Sequence, residues 1–468
     1  MFFDTPVYFV FLTLVVLGYW LLKHRGQNLL LLGFSYLFYG WWDWRFLGLM
    51  ALSTVVDFIC AQWIADAKGA KQRRSALVLS IGMNLVFLGY FKYFNFFIDS
   101  MHVLLTGLGI DVSRTVLEIV LPPGISFYTF QAIAYIVDVY SGRLQPSRKL
   151  TEYALFISFF PHLIAGPIQR PDHLLPQVER ERRFDEQQFR SGLMLILSGL
   201  FRKCVIADQC ALIANASFSG SLGQPNLGVV LLGAYAFAWQ IYGDFSGYSN
   251  LARGSAQLLG FHFMVNFKQP YLSTSIRDFW RRWHISLSTW LRDYLYVPLG
   301  GNRTGEGRTY RNLFLTMLIG GLWHGANWTF VVWGAFHGAW LGVERYLGID
   351  QPGQPSGQWM RWVKRAIVFH LVCLAWIFFR AQSVTDACNF LAGAVHAPVG
   401  ASLLPLFGML AIFSVPLFLI DLLEARRDEE YVGEKSSIVV QCVIALVLLG
   451  AVILFTANAQ AAFIYFQF

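Results

Sequence analysis

The residues best placed to do chemistry lie in one short stretch of this 468-residue sequence, Gly320-Gly321-Leu322-Trp323-His324-Gly325-Ala326-Asn327-Trp328. His324 interrupts an apolar run there. An ionisable side chain at that depth loses hydration, so it must face a protein interior or a water-filled tunnel, and it marks a functional site by default. The surrounding glycines permit a helix break and close approach by a substrate or another backbone. With an ordinary pKa of about 6.5, the imidazole suits a general base that takes a proton from an attacking hydroxyl. A structural histidine bonding across helices fits the same residues.

A second cluster runs from Arg277 to Tyr294. Spacings of three and four put Trp280, Trp283, Leu287, Trp290 and Tyr294 on one helical face, and Arg277, Arg281, His284, Ser288 and Arg292 on another. The pattern predicts an amphipathic helix in the cytoplasmic interface, aromatics in the acyl boundary and cations toward water. Two uses fit it. One is a lipid anchor. The other is a cationic surface on which Arg277, Arg281 and Arg282 receive the phosphates of a nucleotide-tailed donor while His284 turns toward the reaction centre.

A third cluster combines Tyr242-Gly243-Asp244-Phe245-Ser246-Gly247-Tyr248-Ser249 with Leu121-Pro122-Pro123-Gly124-Ile125-Ser126-Phe127. Polar, Gly/Pro-rich interruptions are expected where irregular backbone lines a cavity. Asp244 either caps a helix or orients a histidine, and the cap is the favoured reading. His337 and His162 have no partner at metal-ligand spacing and read as structural. The six cysteines include no Cys-x-x-Cys pair and read as packing residues, so no metal or redox site is indicated. The sequence contains neither a Gly-rich phosphate loop nor a Gly-x-Ser-x-Gly nucleophile motif.

The elements that position these side chains are largely dissolved in lipid. Hydrophobic residues make up 56%, charged residues 14%, and the mean hydropathy is +0.49; soluble proteins hold roughly 45–50% and about 25%. Disorder, a fibre and a disulfide-stapled secreted scaffold are excluded. The net charge of +8 sits mainly in short connections between apolar runs, where it orients helices toward the cytoplasm and does not suggest nucleic acid.

A hydrocarbon core of about 30 Å needs roughly 20 helical residues. Apolar runs occur at Phe2–Leu22, Leu29–Met50, Ala51–Ala65, Ala76–Phe97, Val116–Tyr140, Ser191–Ala214, Leu227–Tyr248, Leu313–Gly321, Trp328–Leu347, Ile367–Phe379, Leu403–Leu423 and Ile438–Phe455. Thr151–Pro167 has basic segments at both ends, so a re-entrant piece broken around Gly166-Pro167 is expected. The reading is an all-α membrane protein of about 11 spans, one polytopic domain over residues 1–468, with no separate soluble domain and no internal repeat. Lys23-His24-Arg25 after the first run and the charge-free tail after Phe455 put both termini outside the cytoplasm. Only Asp4 precedes the first run, which therefore reads as a retained span and not a cleaved signal peptide.

Several long motifs occur in one order: Ser35-Tyr36-Leu37-Phe38-Tyr39-Gly40-Trp41-Trp42, Leu121 to Tyr128, Phe160-Pro161-His162-Leu163-Ile164-Ala165-Gly166-Pro167, and Asp244 to Ser249. They continue through the Phe279–Arg303 block, Trp323-His324-Gly325-Ala326, Trp376-Ile377-Phe378-Phe379-Arg380-Ala381 and Phe463-Ile464-Tyr465-Phe466. With them the chain resembles the membrane-bound O-acyltransferase family over nearly its whole length, and within it the branch that serves alginate O-acetylation. The resemblance implies a bowl of tilted helices around a tunnel, His324 as the catalytic histidine and His284 as its essential companion. It implies acetyl-CoA as a cytoplasmic donor substrate, with no permanently bound cofactor. An extracytoplasmic SGNH-type partner and the polysaccharide secretion machinery would work with a multi-pass protein of the bacterial inner membrane. The polymer implied is an alginate- or cellulose-type exopolysaccharide. A lipid, peptidoglycan or protein hydroxyl is the acceptor in other branches. A polysaccharide or lipid transporter without chemistry is the remaining alternative, and the inverted repeats with paired broken helices that it would require are not seen.

Overall fold

The computed structural model describes residues 3–113, 116–164, 166–303, 305–349, 357–395 and 403–456, and its described elements are all helical. The chain divides into two compact units, Met1–Arg190 with Ser255–Met264, and Ser191–Gly254 with Val265–Phe468.

In the first unit, α1 (Pro6–Trp20) starts where the Thr5 side chain accepts the Tyr8 N–H, with Pro6 at its first position. At 15 residues it is about 22 Å long, shorter than the Phe2–Leu22 run suggested. α2 (His24–Gly40) and α3 (Arg45–Asp66) break at Trp41–Trp44, not at the residue-50 boundary expected from hydropathy. α4 (Ala70–Leu88) passes through a π turn at Gly89–Tyr93 into α5 (Phe94–Gly107). A buried carboxylate ties α3 to α4: Asp57 accepts from Ser80 Oγ at 2.6 Å and from Asn84 Nδ2 at 3.0 Å. Interhelical polar bonds of this kind join helices where no water competes.

Residues 116–124 are not helical, so the expected Val116–Tyr140 run shortens to α6 (Ile125–Tyr140). Gly124 enters it at φ +72°, against the Leu163 carbonyl, where a side chain would not fit. The 151–167 stretch forms two pieces, α7 (Leu150–Ser158) and α8 (Phe160–Leu163), each too short to cross a bilayer; α9 (Pro171–Glu179) follows.

The second unit carries the clusters singled out from the sequence. α10 (Glu186–Leu200) runs through a seven-residue π segment, Phe201–Ala207, into α11 (Asp208–Phe218). α12 (Leu227–Leu258) is one continuous helix of 32 residues. The Tyr242–Ser249 stretch is therefore not an irregular cavity lining. Its glycines serve packing instead, since a Cβ on Gly247 would stand 2.8 Å from the Gly199 carbonyl oxygen.

Then come α13 (Ile276–Arg282), α14 (Ile285–Leu291), a π turn at Arg292–Tyr296, α15 (Glu306–His324) and α16 (Trp328–Tyr346). The unit ends with α17 (Gln358–Arg380), α18 (Val384–Ala392), α19 (Leu404–Arg427) and α20 (Ile438–Thr456). Among the described residues five stretches are long and apolar enough to cross a membrane: α3, the α4–α5 rod, α17, α19 and α20. That criterion does not reach the expected count of about 11; α1, α2 and α6 fall outside it on length, at 15, 17 and 16 residues. Four of the cysteines are buried, as packing residues should be, whereas Cys388 and Cys442 are exposed.

Candidate active site

His324 is the last residue of α15, and the turn Gly325–Asn327 leads directly into α16, where the Asn327 side chain caps the helix by accepting from Thr329 N. The two helices approach with almost nothing between their backbones. A Cβ on Gly321 would stand 3.0 Å from the Gly334 Cα and closer still to the Phe330 carbonyl oxygen. With a rise of 1.5 Å per residue, His324 lies roughly 24 Å along the axis from Arg308 and roughly 20 Å from Arg311, the basic residues near the start of α15. The imidazole is 3% exposed. It meets Trp333 edge-on at 5.1 Å between ring centroids, Trp323 at 5.0 Å and Phe379 at 5.4 Å.

His284 reaches the same place from a different element. The sequence pattern suggested one amphipathic helix through Arg277–Tyr294, but the chain breaks between α13 and α14, with His284 at φ 44°. A left-handed conformation at a non-glycine residue costs about 1–3 kcal/mol and persists only where surrounding bonds impose it. The imposing bonds come from residues 266–268: Ile285 N donates to the Asn266 carbonyl at 2.9 Å, and Lys268 N donates to the Arg282 carbonyl at 3.0 Å. The turn points His284 inward, fully buried, and not onto a cationic surface. Its ring centroid lies 6.4 Å from that of His324.

Asn266 also fixes the proton on His284. Its Oδ1 accepts from the Ser286 backbone N–H at 3.3 Å and from Ser286 Oγ at 2.9 Å, so that atom is the amide oxygen, and Nδ2 is left to donate to Ser249 Oγ at 3.1 Å. The same Oδ1 lies 3.1 Å from His284 Nδ1, which must therefore carry the hydrogen. His284 Nε2 then holds a lone pair, and it has no hydrogen-bond partner among the described residues. Burial pushes this imidazole below the ordinary histidine range, which keeps it neutral.

The three arginines of the cluster separate. Arg277 and Arg281, one turn apart on α13, are exposed and make no ion pair among the described residues. Arg282 is half-buried and bonds Asp278 at 2.8 Å. The start of α13 is held by Glu344, whose carboxylate accepts from Arg277 N at 2.9 Å. His337 takes a hydrogen bond from Trp280 Nε1 at 3.3 Å and lies parallel to Phe279, bracing α13 on α16. His162 belongs to the first unit, buried with Nε2 3.1 Å from Gln131 Oε1. Phe463–Phe466 lies outside the described residues.

Asp244 does not cap a helix. It sits inside α12 and pairs with Lys203 at 2.9 Å, and Lys203 also pairs with Asp208 at 2.8 Å. Beside it, Arg202 bridges Asp421 at 3.4 Å and Glu424 at 3.1 Å, and Tyr242 OH donates to Asp421 at 2.8 Å. Buried charges of this kind persist only when paired and hydrogen-bonded, and a π segment such as Phe201–Ala207 often accompanies a functional site. The sequence reading overlooked Arg202, Lys203 and Asn266. The detectable signal was two adjacent cations inside the otherwise apolar Ser191–Ala214 run.

Residues 143–381 match the profile of the membrane-bound O-acyltransferase family, a segment that includes both histidines. A probable alginate O-acetylase of Pseudomonas putida is 47% identical over 386 residues, covering 81% of this chain and 77% of that protein. Its counterpart in Azotobacter vinelandii is 48% identical, covering 81% of this chain and 74% of that protein. A peptidoglycan O-acetyltransferase of Helicobacter pylori is 35% identical, covering 84% and 79%. The chain is thus a multi-pass membrane O-acyltransferase and belongs to the membrane-bound O-acyltransferase family.

Proposed function

We propose that the chain takes acetyl groups from cytoplasmic acetyl-CoA and passes them across the inner membrane for O-acetylation of a secreted alginate-type polysaccharide, through an SGNH-type partner outside. The observation that carries this reading is the His324–His284 pair: two buried imidazoles from separate elements, 6.4 Å apart, one with its tautomer set by Asn266. The identity to two alginate O-acetylases supports the polymer class. The cited relative that acts on peptidoglycan makes that polymer the second reading.

In the proposed reaction the acceptor hydroxyl oxygen attacks the thioester carbonyl while its proton passes to His324. The carbon–sulfur bond breaks, the sulfur leaves as the thiol after taking a proton, and the acetyl ester forms. His284 Nε2 offers a second acceptor that holds the reacting groups in line. Arg277 and Arg281 serve the donor's phosphates; Arg282, already paired, serves them less. Both termini lie outside the cytoplasm in this reading, which reporter fusions at each end check.

The deciding experiment compares polymer acetylation, normalised to inserted protein, in wild type, His324→Ala and His337→Ala. His324→Ala should stay inserted and lose transfer by about 10²–10⁴-fold, the worth of positioned proton abstraction. Near-normal acetylation in that variant would remove His324 from the mechanism and leave a passive conduit as the better account.

A further inference from the structure

The first half of α17 and the second half of α19 leave a groove between them. One cavity, about 350 Å³, is lined by Arg361, Arg365 and Arg426 together with Gln358 and Leu422. A second, about 370 Å³, is walled by Trp239, Tyr271, Phe369, Val415 and Phe418. Trp362 and Arg365 line both, so the two are continuous. From Gln358 to His370 the groove follows α17 for about 18 Å, slightly more than one leaflet of a hydrocarbon core about 30 Å thick.

Arg361 and Arg426 are exposed, and neither makes an ion pair among the described residues. Arg365 gives its Nε to the Leu272 carbonyl at 3.1 Å and lies 4.5 Å over the Trp362 ring, which holds the guanidinium in place and leaves its remaining N–H groups at the cavity. Among the described residues no carboxylate lines either cavity, because Asp421 and Glu424 of α19 are buried against Arg202. Arg361, Lys364 and Arg365 begin α17 and Arg426 and Arg427 end α19, whereas the opposite ends carry Arg380 alone among the described lysines and arginines. That asymmetry puts the mouth at the cytoplasmic interface. A basic pocket between membrane helices on this side suits an anionic lipid head group.

We propose that this groove binds one anionic phospholipid of the cytoplasmic leaflet, its phosphate on Arg361, Arg365 and Arg426 and one acyl chain along Trp239, Tyr271, Phe369 and Phe418. The bound chain braces the wall of the reaction centre, since Tyr271 stacks on Trp283, the neighbour of His284, at 6.3 Å between centroids. The site is separate from the acetyl-transfer reading, and its test does not use transfer as a readout.

The test is thermal unfolding of the full-length protein in detergent, titrated with phosphatidylglycerol, phosphatidylcholine or free CoA. Phosphatidylglycerol should raise the midpoint and phosphatidylcholine should not. In the triple variant Arg361→Gln/Arg365→Gln/Arg426→Gln the apparent lipid affinity should fall about 10²-fold. Ala366→Trp, which fills the groove and keeps every arginine, should abolish the shift, and it decides the matter if the triple variant does not fold. Equal shifts with both lipids, or a shift that survives in Ala366→Trp, would overturn the proposal. A shift with free CoA that the triple variant loses would assign the groove to the donor tail and overturn it equally.

Discussion

Replacing Gly321 by alanine adds one carbon at the tightest point of the α15–α16 hairpin. That Cβ would lie 3.0 Å from the Gly334 Cα and nearer to the Phe330 carbonyl oxygen, against an ordinary contact of 3.4–4 Å. Both neighbours are backbone, so no side chain can rotate away, and the helices must separate. His324 is three residues further along the same helix and moves with it. A displacement of about 1 Å at a catalytic group costs on the order of 10²-fold in rate, while overpacking costs about 1–3 kcal/mol of stability. Gly342 on α16 is the internal control. A Cβ there would meet the Tyr310 Cδ1 at 3.5 Å, an ordinary contact, so Gly342→Ala should be silent in transfer and gain up to about 1 kcal/mol of helix stability. The assay is polymer acetylation per inserted protein, with thermal midpoints of the purified variants alongside. Wild-type transfer by an inserted, stable Gly321→Ala protein would refute the argument that backbone contact at this crossing sets the histidine geometry.

Two further outcomes follow from the geometry. Arg277→Gln/Arg281→Gln should weaken acetyl-CoA binding roughly 10-fold and flatten its salt dependence, whereas Arg282→Gln should do less, because Asp278 already neutralises that guanidinium. Binding by equilibrium dialysis at two salt concentrations distinguishes them, and an unchanged affinity in the double variant would return α13 to the role of lipid anchor. Asn266→Asp sets a carboxylate beside His284 Nδ1, which raises the pKa of that imidazole. His284 Nε2 accepts a hydrogen bond only while that ring is neutral, so the acid limb of the rate profile should move to higher pH; a uniformly lower rate with an unmoved limb would make Asn266 mere scaffold.

Hydropathy located His324 because one titratable residue stood out against an apolar background, and the glycines beside it pointed to a close approach that the hairpin makes. It failed where the deciding partner is remote in sequence. Arg277–Tyr294 has faultless helical periodicity, yet the chain breaks at His284 because residues 266–268 hydrogen-bond both sides of the turn. Periodicity counts neighbours three and four residues away and is blind to a segment 18 residues back. The Gly-rich Tyr242–Ser249 stretch reads equally well as a break or as a packing surface, and the choice was made by Gly199 on α10. Arg202 and Lys203 disappeared into the average of an apolar window, and half of their partners, Asp421 and Glu424, lie more than 200 residues further on. Helices of 15 to 17 residues likewise look longer in a hydropathy trace when turn residues beside them are apolar.

The placement of the two histidines bears on how a thioester in the cytoplasm serves a hydroxyl outside. α15 carries Arg308 and Arg311 near its start and ends at His324, which stands roughly 20 to 24 Å along the axis from them. Under the proposed function, a donor whose phosphates rest on the exposed Arg277 and Arg281 would extend only its thioester arm toward His324. Trp323, Trp333 and Phe379 enclose His324 at centroid distances of 5.0 to 5.4 Å, and both imidazoles are nearly inaccessible to solvent. In the proposed reaction the same rings would keep water from hydrolysing the thioester.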